Sequence, residues 1–416
     1  YMLWYSSDFN YEYWECVELS ILAVLIIVSR QTDPGYKIAW IIPILLFPAF
    51  GWLVYLLCGG NKLSARKRRK MQGMDRTMLE QLERDYKAEE LRPFGADAVN
   101  QARYLEHYAR CPVYTNTYTH YFPLGDDVFP AMLEELRKAE KYIFLEYFII
   151  SPGIFWDSMV EILKEKHAAG VDVRVIYDDV GSLNTLPMNY ARKLQAETGI
   201  PCCSFNRYKP VKTIRMHNRD HRKFCINDGH TAFTGGINLA DEYINQKLRY
   251  GHWKATAILL KGEAVWSMTV MFLTMWEYTR DVEEDYRRFR PDKLPPEAAQ
   301  GAGYYVQPYA DNPLDEEAVG EAVYLNLINK AERYVYAMTP YLIISDSVNT
   351  ALCNAAKSGV DVRIITPHIP DKALVFELTR SHYESLLEAG VQIFEYTPGF
   401  VHAKVMVTDD CCGVVG

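Results

Sequence analysis

Residues 142–177 read YIFLEYFIISPGIFWDSMVEILKEKHAAGVDVRVIY, and this stretch decides the fold. Its first nine residues, Tyr142–Ile150, are apolar enough to form a buried strand. The apolar residues of Phe155–Ala169 recur with helical spacing, and Val171–Tyr177 again has the composition of a strand. A strand, a helix and a second strand in this order predict an α/β fold.

The same order of elements recurs later in the chain. The sequence predicts a strand over Tyr334–Met338, a helix over Ser347–Lys357 and a strand over Val360–Ile365. The second strands of the two units open on the same five residues, Gly170-Val-Asp-Val-Arg174 and Gly359-Val-Asp-Val-Arg363. An identical pentapeptide at the same point of two matching units indicates an internal duplication.

Each half of the repeat also ends in the same motif. The first half has His221-Arg-Lys-Phe-Cys-Ile-Asn-Asp228 and the second has His402-Ala-Lys-Val-Met-Val-Thr-Asp409, so both read HxKxxxxD. The glycines Gly235 and Gly416 follow at the same offset. Two such motifs at equivalent points of a duplication are far rarer than one chance match.

The spacing of the motif explains its chemistry. Residues two apart on a strand share a face, so His221 and Lys223 are expected to point together, as are His402 and Lys404. Bringing the two halves together would place two imidazoles and two ammonium groups around one small space. Such a site suits a phosphodiester, because ammonium groups offset the charge on the phosphoryl oxygens while the imidazoles supply a nucleophile and an acid.

Composition bounds the remaining possibilities. A chain of 416 residues is long enough for two domains and an appendage, and its net charge of −8 argues against a general nucleic-acid binder. The nine cysteines include no CxxC pair and show no metal-ligand spacing, so we expect no metal or cofactor. The apolar helix predicted over Ala264–Tyr278 is interpreted as core packing rather than as a lipid-binding face.

The amino-terminal segment has the composition of a membrane anchor. Residues 36–58 form an apolar stretch of the length needed to cross a bilayer, with Lys37 as its one charge. We expect Pro43, Pro48 and Gly51 to bend this helix without ending it. Residues 13–28 are a shorter candidate for a second span, so the anchor has one or two transmembrane helices.

A basic run directly follows the predicted span, with the cations Lys62, Arg66, Lys67, Arg68, Arg69 and Lys70. Positive charge beside a span marks its cytoplasmic side, so the chain after residue 70 is expected in the cytoplasm, at the cell membrane. The run can also attract anionic phospholipid headgroups. Composition leaves open whether it acts on lipid or serves as a topology signal alone.

The paired motifs resemble those of the phospholipase D superfamily. The apolar segment 36–60, the basic run, residues 220–243 and the stretch RSHYESLLEAGVQIFEY at 380–396 look like bacterial cardiolipin synthases. The resemblance implies an α/β fold of two duplicated phospholipase D-like α/β/α lobes packed about a pseudo-twofold, preceded by transmembrane helices. The expected domains are a membrane anchor at 1–60, a basic segment and helical linker at 61–110, a first lobe at 111–280, a linker at 281–303, and a second lobe at 304–416 that the end of the sequence truncates.

The resemblance also implies a reaction. One histidine takes a phosphatidyl group from phosphatidylglycerol with release of glycerol, and a second phosphatidylglycerol then attacks the phosphohistidine. By the superfamily pattern, His221 is the nucleophile and His402 the general acid and then base, although the exchanged assignment stays open. Lys223 and Lys404 are expected to bind the phosphoryl oxygens, and Asn238 to join them.

The roles of several other residues stay open in the sequence. Asp228 and Asp409, counted with the catalytic residues, can orient the site or hold a turn at the end of a strand. Asp241 and Glu242 can instead hold a histidine ring from behind. Each strand preceding the predicted helix ends near a tyrosine, Tyr147 in one half and Tyr341 in the other, which can line a pocket or pack in the core.

Two alternative functions remain. A phospholipase or nuclease of the same superfamily would pass the phosphoryl group to water, and a catalytically silent scaffold would only bind anionic lipid. The two complete motifs argue against the scaffold. The sequence does not identify the preferred acceptor or the oligomeric state. Because it starts at Tyr1 and stops at Gly416 within a motif, we expect both ends to be incomplete.

Overall fold

The computed structural model describes residues 2–30, 34–59, 65–82, 85–207, 219–311 and 317–416. Within it, the chain divides into a small unit that contains the first 67 residues and a large unit that contains Arg68–Arg207 and Arg219–Gly416. The paired motifs both belong to the large unit. The predicted domain boundaries stay predictions.

The small unit consists of three helices, α1 at Met2–Ser29, α2 at Pro34–Leu46 and α3 at Pro48–Cys58. The stretch predicted as one bent helix is therefore two helices, and the expectation that its prolines only bend it was wrong at Pro48. Phe47 leaves the helical region, with φ −133° and ψ 75°, because a proline disfavours helical dihedrals in the residue before it. Pro43 remains inside α2.

The helices of the small unit pack through a few side chains, Ala23, Ile27, Ile44 and Tyr55. Many of their large apolar residues are exposed, among them Leu22, Leu25, Ile42, Phe50 and Leu56. A search of the described helices finds none that combines the length and the apolar character needed to cross a membrane.

Two α-helices and a 3-10 helix lie in the segment predicted as a basic run and helical linker, before the first strand. Helix α4 spans Ala65–Leu82 and carries the described part of the basic run, whereas Lys62 lies outside the described residues. A 3-10 helix at Ala88–Phe94 leads into α5 at Ala96–Tyr108.

A seven-stranded sheet forms the first lobe, in the order β1-β8-β6-β5-β2-β3-β4. Strands β2, β3 and β4 are parallel, and β5 joins β2 in antiparallel orientation. The strands are β1 Thr117–Phe122, β2 Tyr142–Tyr147, β3 Asp172–Asp178, β4 Cys202–Phe205, β5 Lys223–Asn227, β6 Thr231–Gly235, β7 His252–Lys254 and β8 Ala257–Gly262, of which β7 lies outside this sheet. The helices are α6 Gly125–Lys138, α7 Ile154–Ala168, α8 Tyr190–Thr198 and α9 Val265–Arg280.

The second lobe has a five-stranded sheet in the order β11-β10-β9-β13-β14. Here β9, β10 and β11 are parallel, and β13 joins β9 in antiparallel orientation, as β5 joins β2. The strands are β9 Tyr334–Met338, β10 Asp361–Pro367, β11 Gln392–Tyr396, β12 Gly399–Val401, β13 Val405–Thr408 and β14 Cys412–Val415. The helices are α10 Val319–Lys330, α11 Asp346–Lys357, α12 Ala373–Ser381 and α13 Tyr383–Glu388.

The strand–helix–strand units predicted from the sequence are therefore present in both lobes. Strand β2 is buried at every position, in line with its mostly apolar sequence, which Glu146 alone interrupts. Helix α9 is buried at every residue from Val265 to Trp276, so its methionines and aromatic side chains pack in the core, as predicted. The predicted α/β fold is confirmed.

A short parallel pair of strands joins the two lobes. Strand β7 of the first lobe pairs with β12 of the second, so that His252 lies opposite Gly399 and Lys254 opposite Val401. Gly251 and Gly399 let the two backbones approach, because a Cβ on Gly251 would lie 2.5 Å from the Pro398 carbonyl oxygen. We call this pair of strands the seam.

The seam predicts a specific sensitivity to Gly251→Ala. Gly251 has φ +74°, so alanine there adds backbone strain to the steric contact with Pro398. We expect the free energy of unfolding, measured by chemical denaturation, to fall by about 2–4 kcal/mol. Gly390→Ala is the matched control, because Gly390 has φ +96° with open space around its Cβ position. Equal losses in the two variants would contradict a close backbone approach at the seam.

Candidate active site

The first motif places its cationic side chains at the start of a strand. Lys223 is the first residue of β5, and His221 precedes it by two. The Lys223 Nζ lies 3.3 Å from His221 Nδ1 and donates a hydrogen bond of 2.6 Å to the His221 carbonyl. The ring of Phe148 lies 4.5 Å from the His221 ring, centre to centre, and Lys223 lies over the same phenyl face at 5.8 Å.

The second motif repeats this pairing in a more enclosed setting. The Lys404 Nζ lies 3.0 and 3.2 Å from the two ring nitrogens of His402. The His402 ring is surrounded by the rings of Tyr243, Trp253 and Phe400, with centres 5.1, 6.0 and 6.0 Å away. His402 is buried, whereas His221 remains exposed.

A backbone carbonyl of the first lobe holds the histidine of the second. His402 Nδ1 lies 2.6 Å from the carbonyl oxygen of Gly236, and because a carbonyl can only accept, Nδ1 must carry the proton. The other ring nitrogen, Nε2, is thereby left to act on a substrate. The His402 amide donates in turn to the Lys254 carbonyl across the seam, at 2.9 Å.

The two pairs act on each other electrostatically. The pKa of His221 falls to about 2, first because neighbouring atoms partly desolvate its ring although the residue keeps access to solvent, and then because the ammonium groups of Lys223, Lys404 and Lys372 repel its protonated form. Burial and the same kind of repulsion hold the pKa of His402 well below its ordinary value. The pKa values of both motif lysines are lowered too, mainly by burial, and that of Lys223 falls to about 7.

These directions describe the electrostatics of the site. The ammonium groups of Lys223 and Lys404 both disfavour the protonated forms of the two histidines, and Lys223 also disfavours that of Lys404. An anion bound among them would reverse the effect and raise their pKa values. The arrangement is therefore complementary to a phosphoryl group.

Comparison with known proteins agrees with this chemistry. A family model described as "Cardiolipin synthase, PLD-like domain" matches residues 132–276 and 324–416, more than half of the chain. The chain belongs to the phospholipase D-like cardiolipin synthase family. A second model, "Phospholipase_D-nuclease N-terminal", matches residues 19–60. The family predicted from the paired motifs is confirmed.

Individual relatives cover nearly the whole chain. An uncharacterized protein of Streptococcus mutans is 44% identical over 404 residues, covering 95% of this chain and 85% of that protein. A cardiolipin synthase of Geobacillus kaustophilus is 34% identical over 410 residues, covering 95% of this chain and 79% of the relative. The crystal structure of phosphatidylserine synthase from Haemophilus influenzae has a TM-score of 0.51 at 15% identity, covering 75% of this chain and 81% of that one, and shows a shared fold.

The aspartates that end the family motif lie away from the histidines. Asp228 accepts hydrogen bonds from the amides of Glu140, Lys141 and Tyr142, at 2.8, 2.7 and 2.8 Å. Asp409 accepts from the equivalent amides at the start of β9, those of Glu332, Arg333 and Tyr334. Five residues of extended chain, about 16 Å, separate Lys223 from Asp228. These contacts favour a strand-end role for the two aspartates, and their grouping with the catalytic side chains stays a prediction.

The proposal that Asp241 or Glu242 supports a histidine was wrong. Both carboxylate oxygens of Asp241 accept hydrogen bonds from the amides of Ile154 and Phe155, at the start of α7. Glu242 faces Arg249 at 3.8 Å. The Gly236 carbonyl takes the supporting position instead, and a backbone group has no signature in the sequence.

The other side chains singled out in the sequence, those of Asn238, Tyr147 and Tyr341, lie in different surroundings. Asn238 accepts a hydrogen bond from the Ile149 amide and donates one of 2.7 Å to the Tyr243 hydroxyl, so it fixes the ring that packs edge-on against His402. Its contact with phosphate stays a prediction. Tyr147 packs in the core, whereas Tyr341 is half-buried and its ring lies 6.2 Å from Phe400.

Sequence reasoning missed a buried ionic cluster behind the first motif. Asp220 and Glu146 are both fully buried, and Arg222 approaches them at 3.9 and 3.5 Å. Burial and the neighbouring Asp220 raise the pKa of Glu146 well above its ordinary value. The sequence Asp220-His-Arg-Lys223 could have revealed this cluster. In an extended chain side chains alternate in direction, so residues 220 and 222 point away from the side on which His221 and Lys223 lie. At the second motif the corresponding residues are Val401 and Ala403.

The possible metal ligands in the described part of the chain do not form a metal site. Among the residues that the structure describes, no group of three or more His, Cys, Asp or Glu side chains is arranged to hold an ion.

The strand-end role of Asp228 can be tested through stability. Asp228→Ala leaves three amides without an acceptor in a buried turn, so we expect a loss of about 3 kcal/mol in the free energy of unfolding. Asp409→Ala removes the same contacts at a more exposed site, where water replaces them, and should cost about 1 kcal/mol. Chemical denaturation of both variants measures the difference. A fully stable Asp228→Ala protein that has lost turnover would instead support a catalytic role.

Proposed function

We propose that this chain is a cardiolipin synthase, a phosphatidyltransferase that passes a phosphatidyl group from one phosphatidylglycerol to another and releases glycerol. The observation that carries the proposal is the electrostatic coupling of two histidine–lysine pairs, one from each lobe, in which the lysines of both pairs lower the pKa of each histidine. Membership of the cardiolipin synthase family, with relatives of that name covering nearly the whole chain, supports the substrate.

The first half-reaction uses both histidines. The bound phosphodiester raises the pKa of His402, so that its Nε2 takes up a proton in addition to the one on Nδ1. The neutral His221 imidazole attacks phosphorus, the bond from phosphorus to the glycerol oxygen breaks, and His402 gives its Nε2 proton to that oxygen. The products are glycerol and a phosphohistidine at residue 221. Lys223 and Lys404 offset the charge that develops on the phosphoryl oxygens.

The second half-reaction reverses these roles. His402, now neutral, takes the proton from the terminal hydroxyl of a second phosphatidylglycerol, and the hydroxyl oxygen attacks phosphorus. The phosphorus–nitrogen bond breaks, which restores His221 and yields cardiolipin. The same group acts as acid and then as base, so its pKa must change as charge on the substrate changes; the lysines that lower the pKa of His402 make it sensitive to a bound anion.

The surroundings of the two rings favour this assignment. His402 is held by the Gly236 carbonyl and three aromatic rings, which keep Nε2 in one direction, as proton transfer requires. His221 is exposed and faces the phenyl ring of Phe148 on one side. An open ring is accessible to the phosphorus of a bulky lipid.

Substitution of each histidine tests the mechanism. We expect His221→Ala and His402→Ala each to lower cardiolipin formation from phosphatidylglycerol at least about 10³-fold, because each removes a bond-making or proton-transferring group. Products are separated by chromatography, with phosphatidic acid reporting hydrolysis.

The covalent intermediate distinguishes the two histidines. Wild-type protein quenched after mixing with phosphatidyl-labelled substrate should carry the label on the peptide that contains residue 221, by mass spectrometry. Label on the peptide that contains residue 402 would exchange the two roles. Substantial turnover in either alanine variant would contradict the two-histidine mechanism.

We also propose that the small unit anchors the enzyme in the cell membrane, with the lobes on the cytoplasmic side. Two observations support this. The helices α1, α2 and α3 expose many large apolar side chains, and the basic run of α4 follows directly. Anionic phospholipid would then surround the site and supply its substrate.

The anchor predicts resistance to extraction. After expression of the full chain in bacteria, the protein should stay in the membrane pellet through washes with high salt and with alkaline carbonate, because apolar burial is insensitive to both. Release by salt alone would indicate that the basic run is the whole attachment. Protease added to inside-out vesicles should digest the lobes, and protection there would contradict the cytoplasmic placement.

A further inference from the structure

Two cations stand on tyrosine rings beside the seam, one from each lobe. The Arg249 guanidinium lies 5.0 Å from the centre of the Tyr250 ring, and the Lys372 ammonium lies 5.3 Å from the centre of the Tyr341 ring. Both cationic side chains are more than half exposed, at 53% and 63%. Nothing in the two-histidine mechanism uses them.

Both tyrosines border the same aromatic side chain. The ring centre of Phe400 lies 6.4 Å from that of Tyr250 and 6.2 Å from that of Tyr341. Phe400 in turn lies 6.0 Å from His402. The two cation–tyrosine pairs therefore flank a single ring that separates them from the catalytic histidine.

The seam fixes this arrangement from both sides. Gly251 follows Tyr250 and forms a bridge with Gly399, next to Phe400. The loop that carries Lys372 is held by the Ile369 amide, which donates to the Gly399 carbonyl. It is held again by Asp371, which accepts a hydrogen bond of 2.7 Å from the Tyr341 hydroxyl.

Each cation has one carboxylate at the outer limit of an ion pair, Glu242 at 3.8 Å for Arg249 and Asp371 at 3.9 Å for Lys372, and neither distance is that of a hydrogen bond. Both side chains can therefore still donate hydrogen bonds to a ligand. The charge of Lys372 also reaches His221, whose pKa it helps to lower. Lys372 is thus within electrostatic reach of the first motif.

We infer that Arg249 and Lys372, standing on Tyr250 and Tyr341, form a second anion site that binds the phosphodiester of the acceptor phospholipid. This inference rests on the proposed transferase function. In that reaction the acceptor is itself an anion, and the two phosphates repel as the acceptor hydroxyl approaches phosphorus.

The geometry of the product sets the distance between the two phosphates. In cardiolipin one glycerol joins the two phosphorus atoms through six bonds. At about 1.5 Å per bond, and with the chain bent at each atom, the two phosphorus atoms lie at most roughly 8 Å apart. The second phosphate must therefore lie about one side chain beyond the first. The two tyrosines lie one ring, that of Phe400, away from His402, and they carry the cations on their own rings. Lys372 is also near enough to His221 to lower its pKa.

The site also explains how an anionic lipid could compete with water and with neutral alcohols for the phosphohistidine. Guanidinium and ammonium groups form charge-assisted hydrogen bonds with phosphate oxygens, which a neutral acceptor cannot exploit. Arg249 and Lys372 would thereby determine acceptor specificity without touching the reacting atoms.

Competition between two acceptors tests the inference. The full-length enzyme receives phosphatidyl-labelled phosphatidylglycerol together with excess unlabelled phosphatidylglycerol and 1-butanol, and the labelled cardiolipin and phosphatidylbutanol are quantified. In the double variant Arg249→Gln/Lys372→Gln, we expect the ratio of cardiolipin to phosphatidylbutanol to fall by about ten- to a hundred-fold. Lys372→Arg should keep most of the wild-type ratio.

Lys357→Gln is the control for loss of surface charge, because Lys357 is an exposed lysine at the end of α11, in the lobe of Lys372, and its loss removes one of the same kind of charge that the double variant loses twice. The control should keep the wild-type ratio. An unchanged ratio of cardiolipin to phosphatidylbutanol in the double variant would overturn the acceptor site. An equal loss of both products would also overturn it, because it would show that the two cations bind the donor phospholipid. Wild-type enzyme that makes no cardiolipin would refute the proposed function itself.

Discussion

The active site depends on one backbone interaction, the parallel pairing of β7 with β12. Each lobe supplies one histidine and one lysine, and neither pair alone can both attack phosphorus and protonate a leaving group. At the seam, the His402 amide donates a hydrogen bond to the Lys254 carbonyl, and the His402 ring nitrogen Nδ1 donates one to the Gly236 carbonyl. These contacts need glycine, since a Cβ on Gly236 would lie 2.3 Å from the His402 carbonyl oxygen. Close backbone approach between lobes is thus what assembles the catalytic constellation.

The two halves share strand order but differ in what surrounds each motif. Behind the first motif lies the ionic cluster of Asp220, Glu146 and Arg222, whereas Val401 and Ala403 occupy the equivalent positions in the second. The second histidine is instead enclosed by aromatic rings. A duplicated scaffold has therefore acquired two unlike environments. This asymmetry allows chemically identical imidazoles to take different roles, because environment sets both the pKa and the orientation of a titratable group.

Electrostatics connects the site to its substrate. Burial lowers the pKa values of both histidines and both lysines, and the neighbouring ammonium groups lower those of the histidines and of Lys404 further, so the four groups together resist full protonation. A phosphodiester supplies the missing negative charge, and the proton needed by the leaving group becomes favourable only when the substrate is present. The acceptor phospholipid is a second anion, and in the proposed reaction the exposed cations Arg249 and Lys372 bind its phosphodiester.

The sequence by itself determined the duplication, the strand–helix–strand units and the pairing of each histidine with its lysine, because these follow from local periodicity and repetition. It also contained the break at Pro48, because a proline disfavours helical dihedrals in the residue before it. Only the tertiary structure decided that Asp228 accepts from the amides of a neighbouring strand, that a Gly236 carbonyl holds His402, and that Tyr250 and Tyr341, each with a cation on its ring, both border Phe400. Those relations join residues far apart in the chain, often through backbone atoms that every residue shares, so no pattern of side chains along the sequence can specify them.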